Sequence, residues 1–250
     1  MSSGSRHHAV PSQHLRLSSR AFSLRALRLA AGDGGDVVGG VAARSLAVSL
    51  ARGTAWTFTD AADAALLAVD DGCVVFSADM HNGHATVGRR VVLATGQAGT
   101  LLAPPLPGER VEAITACRFT AISFESLRTL VAVPAVAEAI ALGLARELDE
   151  RRASIRNCSY VRHSDRVREK LFQLARAYGH VVPGGVRIDF PLTHQLIAEM
   201  VGSARETVSL AINELVREGL VRRESRLYVL RIASQELLPA DDDEEISAAR

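Results

Sequence analysis

The chain has 250 residues, 48% apolar and 23% charged, which suits one or two globular domains and excludes a collagen, a small disulfide scaffold or a largely disordered chain. Lys and Arg together number 29 against 28 Asp and Glu, so a net charge of +1 points to no particular partner. The skew toward arginine, with Lys170 as the one lysine, fits a codon bias and is not by itself a sign of nucleic acid.

The first domain-scale segment, 1–30, carries Arg6, Arg16, Arg20, Arg25 and Arg28 with no acid before Asp33 and no continuous apolar stretch. It reads as an N-terminal arm, not a signal peptide. No run in the chain approaches the roughly 20 uncharged apolar residues of a membrane span, so no membrane partner is expected. Cys73, Cys117 and Cys158 are far apart and form no CxxC pair or disulfide framework, as expected of a protein in the reducing cytoplasm.

Residues 31–130 are rich in Val, Ala, Gly and Thr. Short β-prone runs at 73–77, 86–94, 111–116 and 119–123 alternate with turn clusters at 70–72, 81–84 and 104–108. That rhythm predicts a small all-β barrel or sandwich. Aromatic residues are 4% of the chain, so its core is expected to consist of Ala, Val and Leu.

Residues 131–160 predict one long helix, from about Pro134 to Cys158, with Ile140, Leu144, Leu148 and Ile155 at spacings of four and seven. The seam can pack on its own domain. It also runs past what a small barrel can cover, so these four residues are assigned to a dimer interface with a second copy.

Residues 161–238 carry the informative pattern. A helix over 165–178 and a short strand over 186–190 precede THQLIAEMVGSARETVSLAINELVRE at 193–218. Thr193 is the expected N-cap of a first short helix with Leu196, Ile197 and Val201 on its apolar face, and Ala198 is small where a second helix crosses. Gly202 supplies the turn, Ser203 and Glu206 form an S-x-x-E capping box, and Val208, Ala211, Ile212 and Leu215 face inward before Gly219. This is a helix-turn-helix plan. Residues 220–230 then form a hairpin, or wing. The last residues, 239–250, are an acidic tail to which no function is assigned.

In this plan the first turn of the second helix enters the major groove, so Arg205, Glu206 and Ser209 are the candidate base contacts. Arg can donate two hydrogen bonds to guanine, and Glu can accept from cytosine. Thr193, Ser203, Arg222, Arg223 and Arg226 are the candidate contacts to the DNA backbone.

On these residues, Leu192 to Val221 above all, the chain resembles the Crp–Fnr transcription regulators. The stretch TACRFTAIS at 115–123 is similar to the last barrel strand before that family's dimer helix. The resemblance implies an α+β fold: an N-terminal β-barrel of the cyclic-nucleotide-binding jelly-roll type, a long dimerisation helix and a C-terminal winged helix-turn-helix. It implies a homodimer on double-stranded DNA, reading a two-fold symmetric site through a recognition helix at about 203–218, with RNA polymerase as a further partner.

The departures are equally specific. Where cyclic-AMP-binding members carry Gly-Glu and Arg-Ser pairs, this chain reads Gly99-Thr100 and Pro107-Gly108, so cyclic AMP is not the expected effector. The N-terminal cysteine cluster of iron–sulfur members is missing, and His81 and His84 lie in a turn where solvent-facing histidines are the rule. No cofactor and no metal are therefore predicted. Leu210 stands where the family often has a second arginine. No enzyme motif occurs, and an enzyme built on the barrel is the weaker alternative. An architectural DNA-binding protein with little sequence preference is the other.

Overall fold

The computed structural model describes residues 35–60, 63–80, 89–160 and 162–231. The N-terminal arm, the pair His81 and His84, and the acidic tail lie outside the described residues.

Ten residues, Gly35–Arg44, form helix α1, followed by strands β1 (Leu46–Leu50), β2 (Ala55–Thr57), β3 (Ala64–Asp71), β4 (Cys73–Met80), β5 (Arg89–Gln97), β6 (Leu101–Leu102), β7 (Glu109–Ala113) and β8 (Cys117–Ser123). Among the described residues these strands make two four-stranded antiparallel sheets, ordered β1-β8-β3-β6 and β2-β7-β4-β5. The expected barrel is thus a jelly-roll-like pair of sheets and not a closed cylinder. Its interior holds Leu67, Val69, Val74, Val111 and Ala113, as an aliphatic core should. Three of the scarce aromatics join it. Trp56 meets Phe119 edge-on at 5.1 Å between ring centroids, and Phe76 is buried beside them. Cys117 is buried in β8, as its place in an alternating strand suggests, and burial pushes the Cys73 thiol up to about 12.

Two helices fall within the segment read as all-β. Helix α1 has three glycines and three valines, a poor helix composition. What holds it is packing: Val38 and Val41, three apart on one face, are buried against Leu66, Ala68, Leu101 and Ile122 on the outside of the first sheet. Helix α2 (Phe124–Val131) is capped by Ser123, whose hydroxyl accepts from the Ser126 amide at 3.2 Å.

Helix α3 (Pro134–Cys158) matches the expected long helix, with Pro134 in its first turn, where the missing N–H is harmless. The seam divides along its length. Ile140, only 5% exposed, packs into the same cluster as α1, and Leu144 lies against it. Leu148 and Ile155 are 48% and 70% exposed. Ile140 is therefore committed to the chain's own core and is not available to a partner. The physical reason is that the first turns of α3 lie on the first sheet, whereas the later turns pack through Glu150 and Ser154 against Tyr178 and Lys170, which leaves Leu148 and Ile155 facing outward.

Helix α4 (His163–Tyr178), strands β9 (Gly179–Val182) and β10 (Gly185–Ile188), helices α5 (His194–Val201) and α6 (Arg205–Arg217), and strands β11 (Val221–Glu224) and β12 (Leu227–Leu230) complete the fold. The strands form one sheet, β11-β12-β10-β9. Val167, Leu171, Leu174, Ile197, Val208 and Ile212 fill the space between the three helices. The same cluster runs on into Cys73, Val75 and Val92 of the β-domain, so the two halves share an apolar boundary.

Candidate nucleic-acid interface

Thr193 caps α5 as expected, its hydroxyl oxygen accepting from the Leu196 amide at 3.1 Å while the residue stays exposed. Gly202 then takes φ 65° and ψ 36°, the left-handed turn that glycine enters without penalty. Gly219, at φ 73°, closes α6 in the same way.

The capping box does not form. Helix α6 begins at Arg205 with Ala204 as its N-cap and no side-chain cap bond. Ser203 is buried, and its hydroxyl pairs with Nδ1 of His163 at the start of α4. The hydroxyl is thus engaged from across the domain before it can reach the helix it precedes. Ser203, expected as a DNA-backbone contact, faces inward. Glu206, released from capping, is exposed in the first turn of α6 beside Arg205. Neither forms an ion pair among the described residues. Leu210, one turn further on, is also exposed.

Ser209 is the third candidate base contact, and it is held from two sides. Its Oγ lies 2.9 Å from the Arg205 carbonyl oxygen and 2.7 Å from Nδ1 of His194 in the first turn of α5. Burial, then the positive charges of Arg223 and Arg205, hold the His194 imidazole below its ordinary range, favouring the neutral ring. Nε2 of that ring is enclosed and has no hydrogen-bond partner among the described residues.

The wing is the expected hairpin, pairing Arg222 with Val229 and Arg223 with Tyr228. Ser225 turns it at φ 59°. Its three arginines differ. Arg222 lies 2.9 Å from Glu224, Arg223 sits 6.0 Å over the Tyr228 ring, and Arg226 is exposed at the tip. The Arg226 carbonyl accepts from the Leu192 amide at 3.1 Å, tying the wing tip to the start of α5.

Polar contacts also join the interface domain to the β-domain. Arg90 of β5 pairs with Glu112 and, at 2.8 Å, with Glu199 of α5. The Tyr178 hydroxyl at the end of α4 donates to the Thr95 carbonyl at 2.8 Å and lies 3.3 Å from Glu150 of α3. A cleft of about 270 Å³ between the two domains is lined by Arg52, Arg90, Glu112, Thr193, Gln195 and Glu199. Sequence reasoning missed His163, His194, Arg90 and Tyr178. Their partners lie 40, 15, 109 and 83 residues away, so no local pattern marks them.

A glycine-turned helix pair with a capped first helix, an outward-facing second helix and a basic wing defines a winged helix-turn-helix DNA-binding domain. Comparison with known proteins agrees. The Crp-like helix-turn-helix domain family matches residues 165–236. The CRP-like cAMP-activated global transcriptional regulator of Mycobacterium tuberculosis is 30% identical over 128 residues, 50% of this chain and 57% of that protein. The global nitrogen regulator of Synechocystis sp. is 49% identical over 49 residues, 20% of this chain and 21% of that one. In the first of these the match thus spans little more than half of the relative's length. Among solved structures, a CooA mutant from Carboxydothermus hydrogenoformans has a TM-score of 0.62 at 21% identity, covering 83% of this chain and 90% of the other. FixK2 from Bradyrhizobium japonicum has a TM-score of 0.61 at 22% identity, covering 77% and 95%. Residues 165–236 thus carry a Crp-like helix-turn-helix domain, and the chain shares its fold with these solved structures. No single helix among the described residues is long and apolar enough to cross a membrane.

Proposed function

We propose that the chain is a homodimeric, sequence-specific regulator of transcription that reads a two-fold symmetric site. The observation that carries this reading is the first turn of α6, where Arg205 and Glu206 project into solvent free of ion pairs among the described residues, on a helix fixed by the Gly202 turn. Arg205 is assigned a guanine contact and Glu206 a cytosine N4 contact, with Ser209 one turn behind. Thr193, Arg222, Arg223 and Arg226 are assigned to phosphates. Leu144, Leu148 and Ile155 of α3 are assigned to the dimer, which places two recognition helices about 34 Å apart. RNA polymerase is the expected further partner, the cytoplasm the expected compartment, and no catalytic activity is assigned.

The relatives named above include one described as cAMP-activated. Here cyclic AMP is not proposed as the effector. The positions matching the family's Glu and Arg contacts hold Thr100 and a Pro107-Gly108 turn, and Trp56 and Phe119 occupy the space between the sheets. Calorimetry should detect no binding at micromolar cyclic AMP, and a micromolar dissociation constant would refute this part. The central test is selection from random duplexes. A recovered site with two-fold symmetry supports the proposal, whereas recovery of no preferred sequence would favour an architectural protein.

A further inference from the structure

We infer that His194 is a specificity-determining residue: by engaging the Ser209 hydroxyl, it makes Ser209 read an amino group, cytosine N4 or adenine N6, on the base it faces. The inference rests on the proposed reading of DNA by α6.

A serine hydroxyl has one proton and two lone pairs. The Ser209 oxygen has two protein partners, the Arg205 carbonyl oxygen at 2.9 Å and His194 Nδ1 at 2.7 Å. The carbonyl can only accept. If Ser209 donates to it, Nδ1–H donates to Ser209, and one lone pair remains to face outward. If Ser209 donates to an unprotonated Nδ1 instead, its proton is again used within the protein. In both arrangements Ser209 has acceptor capacity to offer the groove and no proton. The result does not depend on the tautomer, nor on protonation of the ring, since imidazolium also donates from Nδ1.

That polarity matters because serine ordinarily serves bases of either kind. In the major groove adenine and cytosine present amino donors, while guanine and thymine present carbonyl acceptors. An acceptor-only Ser209 gains a hydrogen bond from the first pair and meets lone pairs on the second. An unprotonated Nδ1 removes the alternative by accepting the Ser209 proton, and a protonated Nδ1 fills one lone pair and leaves that proton to the Arg205 carbonyl at 2.9 Å. Left with the backbone contact alone, the hydroxyl can rotate and point its proton outward. The imidazole is itself well fixed, at the start of α5 with Nε2 enclosed, and the charges acting on it are Arg205 from α6 and Arg223 from the wing. Neither is an acceptor that would compete for the Nδ1 proton.

The test uses the full chain and its selected site. The base pair whose preference collapses in Ser209→Ala is first located. At that pair the exocyclic groups are then deleted singly, adenine to purine or cytosine to pyrimidin-2-one for the amino group, thymine to 5-methylpyrimidin-2-one or guanine to 2-aminopurine for the carbonyl oxygen. Deleting the amino group should weaken wild-type binding about three- to tenfold, the worth of one neutral hydrogen bond, and leave Ser209→Ala unaffected. In His194→Ala the same deletion should matter less than twofold, while the guanine read by Arg205 keeps its full effect. His194→Asn, whose amide nitrogen takes the place of Nδ1, should restore the amino dependence. A Ser209-dependent loss on deleting the carbonyl oxygen would overturn the inference, as would an undiminished amino effect in His194→Ala. If His194→Ala does not fold, His194→Phe, which fills the same space without a hydrogen-bonding nitrogen, takes its place and should likewise lose the amino dependence. A wild-type protein with no preference at any position refutes the regulator reading itself, and this inference with it.

Discussion

Replacing Glu150 by Gln should abolish a specific part of the pH dependence of folding. Glu150 lies where α3, α4 and β5 meet, its Oε2 3.3 Å from the Tyr178 hydroxyl. Burial pushes its carboxyl up to about 7 from an ordinary 4.5, a further push comes from Glu147, and the Tyr178 hydrogen bond and the Lys170 charge pull the other way. Between those two values the folded chain holds a proton that the unfolded chain has released. Stability present at low pH is therefore lost as pH rises from about 4.5 through 7. At about 1.4 kcal/mol per unit, the loss is at most about 3.5 kcal/mol by pH 8. Gln keeps the shape and cannot ionise. Urea unfolding of both proteins, followed by helical circular dichroism at pH 5, 6, 7 and 8, isolates this group from all others by difference. The variant should match wild type near pH 5 and exceed it by about 2–3 kcal/mol at pH 8. A difference that does not grow with pH, or a variant less stable at pH 8, would show that the carboxyl is not held protonated by its burial.

Arg205→Ala should leave stability within about 0.5 kcal/mol, because the side chain is exposed, yet weaken the selected site ten- to a hundredfold and random DNA hardly at all. Arg226→Ala should instead lower affinity for both and reduce the salt slope by about one, both measured by fluorescence anisotropy; identical uniform losses for the two variants would refute the division of roles. Charging the exposed end of α3, Leu148→Glu with Ile155→Glu, should yield a folded monomer in sedimentation with weakened site binding. Ile140→Glu should unfold the chain, since that residue is buried, and a folded Ile140→Glu monomer would return it to the interface. Gly202→Ala meets no atom within 4 Å, so its cost is conformational alone, about 1–2 kcal/mol by thermal unfolding.

The winged helix-turn-helix was legible because its signals are local. Thr193 three residues before its amide partner, glycines at 202 and 219, and apolar positions at helical spacing act within a few residues of one another. The length of α3 was legible for the same reason. Helices α1 and α2 were not, because their composition and position among strands argue for sheet, and only the apolar face of β3 and β8 makes Val38, Val41 and Leu130 worth burying. The capping box shows the limit most clearly. Ser203 and Glu206 have the right spacing, and that spacing says nothing of His163, forty residues earlier, which engages the serine first. By itself, then, the sequence determined which residues can be presented to DNA, since helix periodicity and turn chemistry are short-range properties. The tertiary structure decided which of them are free to act. It turned Ser203 inward, gave Ile140 to the chain's own core and set His194 against Ser209, because burial and hydrogen-bond partners across a domain are fixed by packing between segments distant in the chain.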